Sequence, residues 1–311
     1  MLLNSKIEVD NSREVSMKKV KRPKGIKYVL DGASENLFKL CALIAVISLL
    51  IIIGFVFYKG LSPFLLKGYS FVEFITGQEW IPSSNKFGIL PMILASVYGT
   101  LGALVIGVPI GILTAVFIAE IAPKSVDKVM STGVELLAGI PSVLFGVFAL
   151  GVIVPKIQRI LNLPKGQSLL AIIIVLSIMM LPTIISVAEA AIRSVPSYYK
   201  EASLALGASH IETIFKVTLP ACKSGIITAV GLGMGRAIGE TMAVILVAGN
   251  SPIIPTSITD SVRPLTTNIA IEMGYAFGVH EEMLFATGVV LFSFILLLNF
   301  VLSKISSKAG R

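Results

Sequence analysis

Residues 196–250 read PSYYKEASLALGASHIETIFKVTLPACKSGIITAVGLGMGRAIGETMAVILVAGN. The first half of this stretch is polar and rich in helix-forming residues, whereas the second half is apolar and long enough to cross a membrane as a helix. Two charged residues, Arg236 and Glu240, lie inside the apolar half. The stretch therefore predicts a polar, helical loop followed by a membrane span that contains charge.

The composition of the whole chain indicates a membrane protein. Of its 311 residues, 55% are hydrophobic and 14% are charged, and the mean hydropathy is +0.89. Soluble domains carry about 25% charged residues, so this chain has too few to cover a water-exposed surface. The net charge of +8 does not indicate nucleic-acid binding, because 9 of the 26 Lys and Arg residues lie within residues 1–39 and none is interleaved with aromatic residues in a binding pattern.

Apolar runs recur along the chain, and each is long enough to cross about 30 Å of hydrocarbon as a helix. We therefore predict an all-α membrane protein with six transmembrane helices, at residues 40–58, 89–119, 133–154, 168–190, 224–248 and 283–303. Residues 1–39 are polar and basic, which predicts a cytoplasmic N-terminal tail before an uncleaved first span. Residues 40–311 then form one six-span domain.

The second apolar run is longer than one span requires and contains small and helix-bending residues. Such residues predict tilt, a kink and the close approach of a neighbouring helix. They are Pro91, Gly99, Gly102, Gly107, Pro109 and Gly111.

The distribution of basic residues predicts the orientation, because short cytoplasmic loops are enriched in Lys and Arg. Six spans put both termini on one side of the membrane. Segments on that side carry 18 of the 26 Lys and Arg residues, those on the other side carry 7, and Arg236 lies within a span. The bias predicts that both termini and the loop at residues 191–223 are cytoplasmic, although the loop between the third and fourth spans runs against it.

The two long segments on the opposite side contain polar and aromatic residues. Residues 59–88 include the only tryptophan, Trp80, which is expected in an aromatic belt at the membrane interface. Residues 249–282 include Arg263 and Glu272 and are expected to form a re-entrant or interfacial element, which requires backbone that is buried in protein or lines a cavity.

The cytoplasmic loop is predicted to form two short helices. Residues 201–206 are strong helix formers, and Gly207 can end the helix in a left-handed conformation. Ser209 with Glu212 three residues later has the spacing of a capping box for a second helix, and Pro220 is expected to break the chain before the fifth span. Two short helices joined by a glycine suit docking into a groove of a partner protein.

Several function classes are not expected. The chain has no GxxxxGK[ST] segment and is therefore not its own P-loop ATPase. His210 and His280 lie far apart, which disfavours a zinc site or a His-based catalytic triad. Cys41 and Cys222 are expected to be packing residues. The sequence thus predicts no catalytic residue, no metal, no cofactor and no enzymatic activity.

Seven positions of the polar loop match a known spacing: Glu201, Ala202, Ser203, Gly207, Val217, Leu219 and Pro220. The pattern Glu-Ala-Ala, three residues, Gly, nine residues, Ile, one residue, Leu-Pro is that of ABC-importer permeases, which this loop resembles, with Ser203 and Val217 as mild departures. The resemblance implies a MetI-like permease subunit of a type I ABC importer, with its core at about residues 89–303. It also implies that a separate ABC ATPase subunit, expected as a homodimer, couples to the spans through residues 196–220.

The charges inside the fifth apolar run are not explained by helix stability. A charge near the bilayer centre costs about 2.5–3.5 kcal/mol, whereas an i,i+4 pair returns only about 0.2–0.5 kcal/mol. Arg236 and Glu240 are predicted to share one helix face and to face a bundle interior or wet cavity, with a structural ion pair to a neighbouring helix as the alternative. Glycines nearby would let another backbone or a solvated anion approach: Gly231, Gly233, Gly235 and Gly239.

The segments RAIGET at residues 236–241, PLTTNIA at 264–270 and LFATG at 284–288 closely resemble phosphate-importer permeases of the PstC type. The resemblance implies that Arg236, Glu240 and Thr241 line the substrate path. It further implies a second homologous permease subunit, an extracytoplasmic phosphate-binding protein, surrounding membrane lipid, and the plasma (inner) membrane of a bacterium or archaeon. The RAxGET segment also occurs in PstA-type companion subunits. Three alternatives therefore stay open: such a companion subunit, a permease for another oxyanion, or a regulatory membrane scaffold that senses phosphate transport.

The chemistry of the charged pair favours phosphate. Arg presents planar N–H donors that match phosphate oxygens bidentately. A neighbouring carboxylate repels a fully ionised anion, whereas phosphate at neutral pH still carries a proton that it can donate. We therefore expect Arg236 to attract the anion and Glu240 to select the protonated form.

Overall fold

The structure, a computed structural model, describes residues 26–309, and side chains over residues 33–306. The helices are α1 (Ile26–Leu66), α2 (Phe71–Thr76), α3 (Leu90–Val116), α4 (Lys124–Gly139), α5 (Ser142–Phe148), α6 (Val154–Ile160), α7 (Leu169–Arg193), α8 (Ser197–Ala205), α9 (His210–Thr213), α10 (Leu219–Ala221), α11 (Lys223–Gly239), α12 (Met242–Val247), α13 (Leu265–Glu272) and α14 (Val279–Ala309). Wider π-helical turns at Phe117–Ile121, Ala149–Ile153 and Ile214–Thr218 continue α3, α5 and α9. A small antiparallel hairpin, β1 (Trp80–Ile81) and β2 (Lys86–Phe87), closes around a 3-10 turn at Pro82–Ser84.

The helices confirm an all-α membrane protein. Within the described residues, five helices are long and apolar enough to span a membrane, and a bent pair raises the number to six if it counts as one span. The five are Ala33–Leu66, Leu90–Ile121, Ser142–Ile160, Leu169–Arg193 and Val279–Ser306, and the pair is His210–Ala221 with Lys223–Gly239, bent by 74°.

The chain divides into two units, residues 1–53 and residues 54–311. The described part of the first unit is a continuous helix whose apolar side chains, such as Leu50 and Ile51, are exposed. Most of the basic tail predicted for residues 1–39 lies outside the described residues, but α1 already begins at Ile26 within that range.

The third span begins later than predicted. Residues 133–139 belong to α4, which ends at Gly139, and the candidate span starts at Ser142. Ile140 and Pro141 have extended backbone, with ψ of 128° and 136°. A proline disfavours helical geometry in the residue before it, so the helix ends there.

The fifth span is also shorter than predicted. The helix α11 has 17 residues and ends at Gly239, so it covers only about 25 Å at 1.5 Å per residue. The chain then turns through Glu240 and Thr241 before α12 begins at Met242. The predicted run of residues 224–248 is therefore two helices with a break between them.

Close packing of α3 against α7 confirms one of the expectations for the second apolar run, the close approach of a neighbouring helix. A Cβ atom on Gly102 would lie 2.5 Å from Cδ1 of Ile173, and one on Gly107 would lie 2.7 Å from Sδ of Met180. The side chains of Ile173 and Met180 therefore lie directly against the backbone of α3, where a residue larger than glycine would displace them. Most residues of α7 are buried, which makes it the central helix of the second unit.

Ion pairs join elements that the charge count places on one side of the membrane. Lys200 of α8 contacts Glu120 at the end of α3 with Nζ and Oε1 2.5 Å apart. Arg193 at the end of α7 contacts Asp127 of α4 with NH2 and Oδ1 2.8 Å apart. The C-terminal ends of α3 and α7 therefore lie on the same side as α4 and α8. The assignment of this side to the cytoplasm stays a prediction.

Candidate functional site

Two faces of α11 have different surroundings. One face packs against α7, where a Cβ on Gly233 would lie 2.6 Å from Cγ1 of Ile184. Toward the C-terminal end of α11 the opposite face has no such neighbour: among the described residues, nothing lies within 4 Å of a Cβ built on Gly235 or Gly239. We call this face the open strip, and its members at helical spacing are Thr228, Leu232, Gly235, Arg236 and Gly239.

Arg236 lies in the last turn of α11 and on the open strip. Its guanidinium group has no hydrogen-bond or ion-pair partner among residues 33–306. The C-terminal end of a helix carries partial negative charge, which favours a cation there but does not satisfy the five N–H donors of the side chain. Arg236 is therefore a half-buried cation whose donors are available to a ligand.

Glu240 follows the end of α11 and does not continue it. Its backbone is extended, with ψ of 128°, and its Oε1 accepts the N–H of Ala243 at 3.3 Å, in the first turn of α12. The prediction that Arg236 and Glu240 share one helix face is therefore wrong. The helix ends between them, and Glu240 instead satisfies a free N–H at the start of the next helix.

One hydrogen bond from α13 holds the break between α11 and α12, and another ties α13 to α3. The hydroxyl of Thr266 donates to the carbonyl of Glu240 at 3.1 Å, and the N–H of Leu265 donates to Oγ of Ser96 in α3 at 2.9 Å. The third predicted residue, Thr241, donates to the carbonyl of Gly239 at 3.2 Å. The structure thus brings Arg236, Glu240 and Thr241 to one end of α11 without joining their side chains.

The cleft beside Glu240 is too small for an oxyanion. It is lined by Ser96, Thr100, Val244 and Thr266 and has room for about 10 Å³, which is no more than one water molecule. Arg236 does not line this cleft, and the space open beside Gly235 and Gly239 belongs to the open strip.

A second arginine lies in a buried cluster that sequence analysis did not identify. The Glu272 carboxylate accepts hydrogen bonds from NH1 of Arg263 at 2.6 Å and from Nε1 of Trp80 at 2.7 Å, and its Oε2 lies 2.8 Å from Nε2 of His280. Arg263 also donates to Oδ1 of Asn268 at 3.2 Å. We call these five residues the Glu272 cluster. Their donors come from β1, from the loop before α13 and from the first turn of α14.

The aromatic-belt prediction for Trp80 is wrong. Its side chain is buried, 5% exposed, because the indole packs against Phe87 and its N–H reaches the Glu272 carboxylate. The only sequence signal for the cluster was a tryptophan, an acid and a base in segments between apolar runs. Arg263 and Glu272 are nine residues apart, a spacing that predicts no contact on a helix.

The polar loop has the predicted helices and caps. Gly207 is left-handed, with φ of +89°, and Ser209 and Glu212 form the complete capping box. The N–H of Ser209, together with the Lys216 ammonium group, lowers the pKa of the Glu212 carboxyl to about 2. Pro220 does not break the chain, since it lies in the first turn of α10, where its missing N–H needs no acceptor; the break comes at Cys222.

The surface of this loop is exposed and partly apolar. Of the motif residues, Glu201, Ala202, Gly207 and Pro220 are exposed, and Ser203, Val217 and Leu219 are partly buried. Large apolar side chains with exposed fractions of 45% or more are Tyr198, Tyr199, Leu204, Leu206, Ile211 and Phe215. A hydrogen bond of 2.9 Å between Ser203 and Thr213 joins α8 to α9. The two helices thus present one connected surface that no described residue covers.

Comparison with protein families identifies one match. Residues 107–310 match the family described as "Binding-protein-dependent transport system inner membrane component". The match covers the C-terminal part of α3 and everything from there to residue 310, including the polar loop and the open strip.

Two known proteins align with this chain over most of its length. The probable ABC transporter permease protein YqgH of Bacillus subtilis is 43% identical over 272 residues, which cover 85% of this chain and 88% of that protein. The phosphate transport system permease protein PstC of Mesorhizobium japonicum is 34% identical over 277 residues, 81% of this chain and 83% of that protein.

Solved structures share the fold. A bacterial ABC transporter for the import of the polysaccharide alginate aligns with a TM-score of 0.64 at 19% identity, over 92% of this chain and all of that chain. The inward-facing MetNI methionine ABC transporter aligns with a TM-score of 0.55 at 22% identity, over 72% of this chain and 95% of that one.

Proposed function

The chain belongs to the family of binding-protein-dependent transport system inner membrane components and is an ABC importer permease of the MetI type; we propose that its substrate is inorganic phosphate. It forms one half of the translocation path, and ATP hydrolysis in a separate subunit drives transport. Relatives with phosphate permease names, such as the PstC protein of Mesorhizobium japonicum, support this substrate.

The unpartnered guanidinium group of Arg236 is the observation that carries the proposal. Placing a charge at membrane depth costs about 2.5–3.5 kcal/mol, and an internal ion pair would be the usual compensation. Arg236 has no such pair among the described residues, and Gly235 and Gly239 leave the space beside it open. A tetrahedral oxyanion with two or more acceptor oxygens would satisfy these donors.

Glu240 and Thr241 lie at the break that follows α11 and are proposed to line the same path. The Glu240 carboxylate accepts one backbone N–H and has lone pairs left for a second donor. Phosphate at neutral pH can donate its remaining proton to such a carboxylate, whereas sulfate cannot. This difference favours phosphate over sulfate at the site.

The coupling segment, residues 196–220, is proposed to receive an ABC ATPase subunit, present as a homodimer. Its exposed apolar side chains, among them Leu206 at 90% exposure, offer a surface for a groove on that partner. The ion pair of Lys200 with Glu120 connects the segment to the end of α3. The hydrogen bond of Ser203 with Thr213 connects the two helices of the segment to each other. A connected segment of this kind moves as a unit and can transmit the displacement to the spans.

Two further partners complete the proposed transporter. A second homologous permease subunit faces the open strip, so that the path runs between the two subunits. An extracytoplasmic phosphate-binding protein delivers the anion from the side opposite the coupling segment. Membrane lipid covers the outward apolar faces, and both termini lie in the cytoplasm of a bacterial or archaeal cell.

Anion uptake by the reconstituted complex tests this function. The complete transporter in proteoliposomes should import labelled phosphate only with ATP and the binding protein, and excess arsenate should compete while sulfate and molybdate should not. Arg236→Ala and Glu240→Gln should each reduce uptake at least about tenfold, since each removes a hydrogen-bonded contact that involves a charge. Full transport in both variants, or competition by sulfate in the wild type, would refute the assignment.

A further inference from the structure

The helix α12 is held at both ends by the segment that contains α13. At its start, the hydroxyl of Thr266 donates to the carbonyl of Glu240 at 3.1 Å. Just past its end, Nε of Arg263 donates to the carbonyl of Asn250 at 2.8 Å, and the Asn250 side chain donates to the carbonyl of Ile245 at 2.9 Å. The position of α12, and of the break before it, therefore depends on where the α13 segment lies.

At its C-terminal end, α13 is held by one carboxylate. Glu272 is the last residue of α13, 5% exposed, and contacts donors from β1, from the loop before α13 and from α14. A buried carboxylate is stable only where several donors satisfy it, so it imposes a defined arrangement on the elements that supply them. Thr266 and Glu272 thus act at opposite ends of one eight-residue helix.

We infer that Glu272 is a positioning residue that fixes the break containing Glu240 and, through it, the anion site at Arg236. This inference rests on the proposed function. Glu272 acts through α13: it holds α13 against the β1–β2 hairpin and α14, and α13 holds the break through Thr266. Loosening either end of α13 should misplace the same break, so changes at the two ends should affect transport through one common step.

A double-mutant cycle on phosphate uptake tests the inference in the reconstituted transporter. Glu272→Gln keeps the shape of the side chain but replaces one acceptor oxygen by a donor, and Thr266→Val removes the hydroxyl while keeping its volume. Each single variant should lower uptake about tenfold, as expected for a lost hydrogen bond at a charged or backbone partner. The uptake of the double variant should also lie about tenfold below wild type, because both changes misplace the same break. Changes at independent sites would instead multiply to a loss of about a hundredfold.

Matched variants separate positioning from loss of stability. Thr266→Ser restores the hydroxyl and should restore uptake. Thr287→Val removes a buried hydroxyl that, among the described residues, donates to the carbonyl of Met283 within α14. By itself this variant should leave uptake near the wild-type value, and it should not change the loss caused by Glu272→Gln. If Glu272→Gln does not assemble, Trp80→Phe removes a single donor of the same carboxylate and takes its place in the cycle.

The outcomes distinguish this inference from the proposed function. Multiplicative losses in the Glu272–Thr266 cycle, or wild-type uptake in either single variant, would overturn the positioning role. If uptake is lost in Arg236→Ala while the cycle is multiplicative, only the positioning role fails. If Arg236→Ala transports phosphate normally, the proposed anion site fails, whatever the cycle gives.

Discussion

Arg236 and Arg263 occupy opposite kinds of environment in one subunit. Arg263 is 15% exposed at the side chain and pairs with Glu272 through a contact of 2.6 Å. Arg236 also has a glutamate close in sequence, Glu240, but the two side chains form no ion pair within the described residues. The sequence suggested that Arg236 would be the paired arginine, because Arg236 and Glu240 have the i,i+4 spacing of a helical ion pair, whereas Arg263 and Glu272 do not.

The difference shows how a membrane protein uses buried charge. Arg263 has its donors satisfied inside the subunit, so its charge serves to fix the arrangement of β1, α13 and α14. Arg236 keeps its donors unsatisfied beside small residues, so its charge is available to something outside the subunit. Removal of a paired charge is therefore expected mainly to lower stability, and removal of an unpaired charge is expected mainly to lower transport.

The largest expected effect contrasts the two arginines in stability. Arg263→Met leaves the buried Glu272 carboxylate without its cation, which should cost about 3–5 kcal/mol of unfolding free energy. Arg236→Met breaks no contact in the subunit and should cost no more than about 0.5 kcal/mol. Thermal unfolding in detergent, followed by the fluorescence of Trp80, measures both. The double variant Arg263→Met with Glu272→Met should recover part of the loss; equal melting temperatures for the two single variants would remove the distinction.

The next effect contrasts the two faces of α11. In Gly233→Ala, overpacking against Ile184 should lower the free energy of unfolding by about 1–3 kcal/mol. The higher helix propensity of alanine should offset about 1 kcal/mol of this loss. Gly235→Ala meets no atom within 4 Å and should raise stability by up to about 1 kcal/mol. The same unfolding assay compares them. A Gly235→Ala variant less stable than Gly233→Ala would show that the open strip is covered by the subunit itself.

The smallest effect is expected for a charge that is paired but exposed. The pKa of Glu212 is lowered from its ordinary 4.5 to about 2, so its contribution to the capping box is present above pH 4.5 and is lost as the pH falls toward 2. Hydrogen exchange over residues 209–213 should be faster in Glu212→Gln than in wild type at pH 7. The difference should shrink between pH 4.5 and pH 2, and a difference that persists below pH 2 would contradict this cause.

Sequence patterns were sufficient for features that depend on local chemistry. The spans at α3, α7 and α14 follow from long apolar runs, and the close approach of α3 to α7 follows from glycines such as Gly102 and Gly107. The capping box of Ser209 with Glu212 and the left-handed Gly207 depend only on neighbouring residues. These features were therefore predictable from short windows of sequence.

Features that depend on distant residues were not predictable. The Glu272 cluster joins Trp80 to a carboxylate 192 positions away, and no local pattern carries that contact. The break after Gly239 was hidden because apolar sequence lies on both sides of Glu240 and Thr241, and the hydrogen bond that holds the break comes from Thr266, 26 residues away. An apolar run gives the length of membrane crossed but not whether one helix or two cross it.

Cysteine labelling of the open strip tests most directly whether Arg236 faces the anion path. In the assembled transporter with Cys41 and Cys222 replaced by alanine, Gly235→Cys should react with a charged, membrane-impermeant thiol reagent, and saturating phosphate should slow the reaction. Met234→Cys, at a side chain that is 8% exposed, should stay unreactive and serves as the control. A Gly235→Cys that does not react, or that reacts equally fast with and without phosphate, would contradict the account.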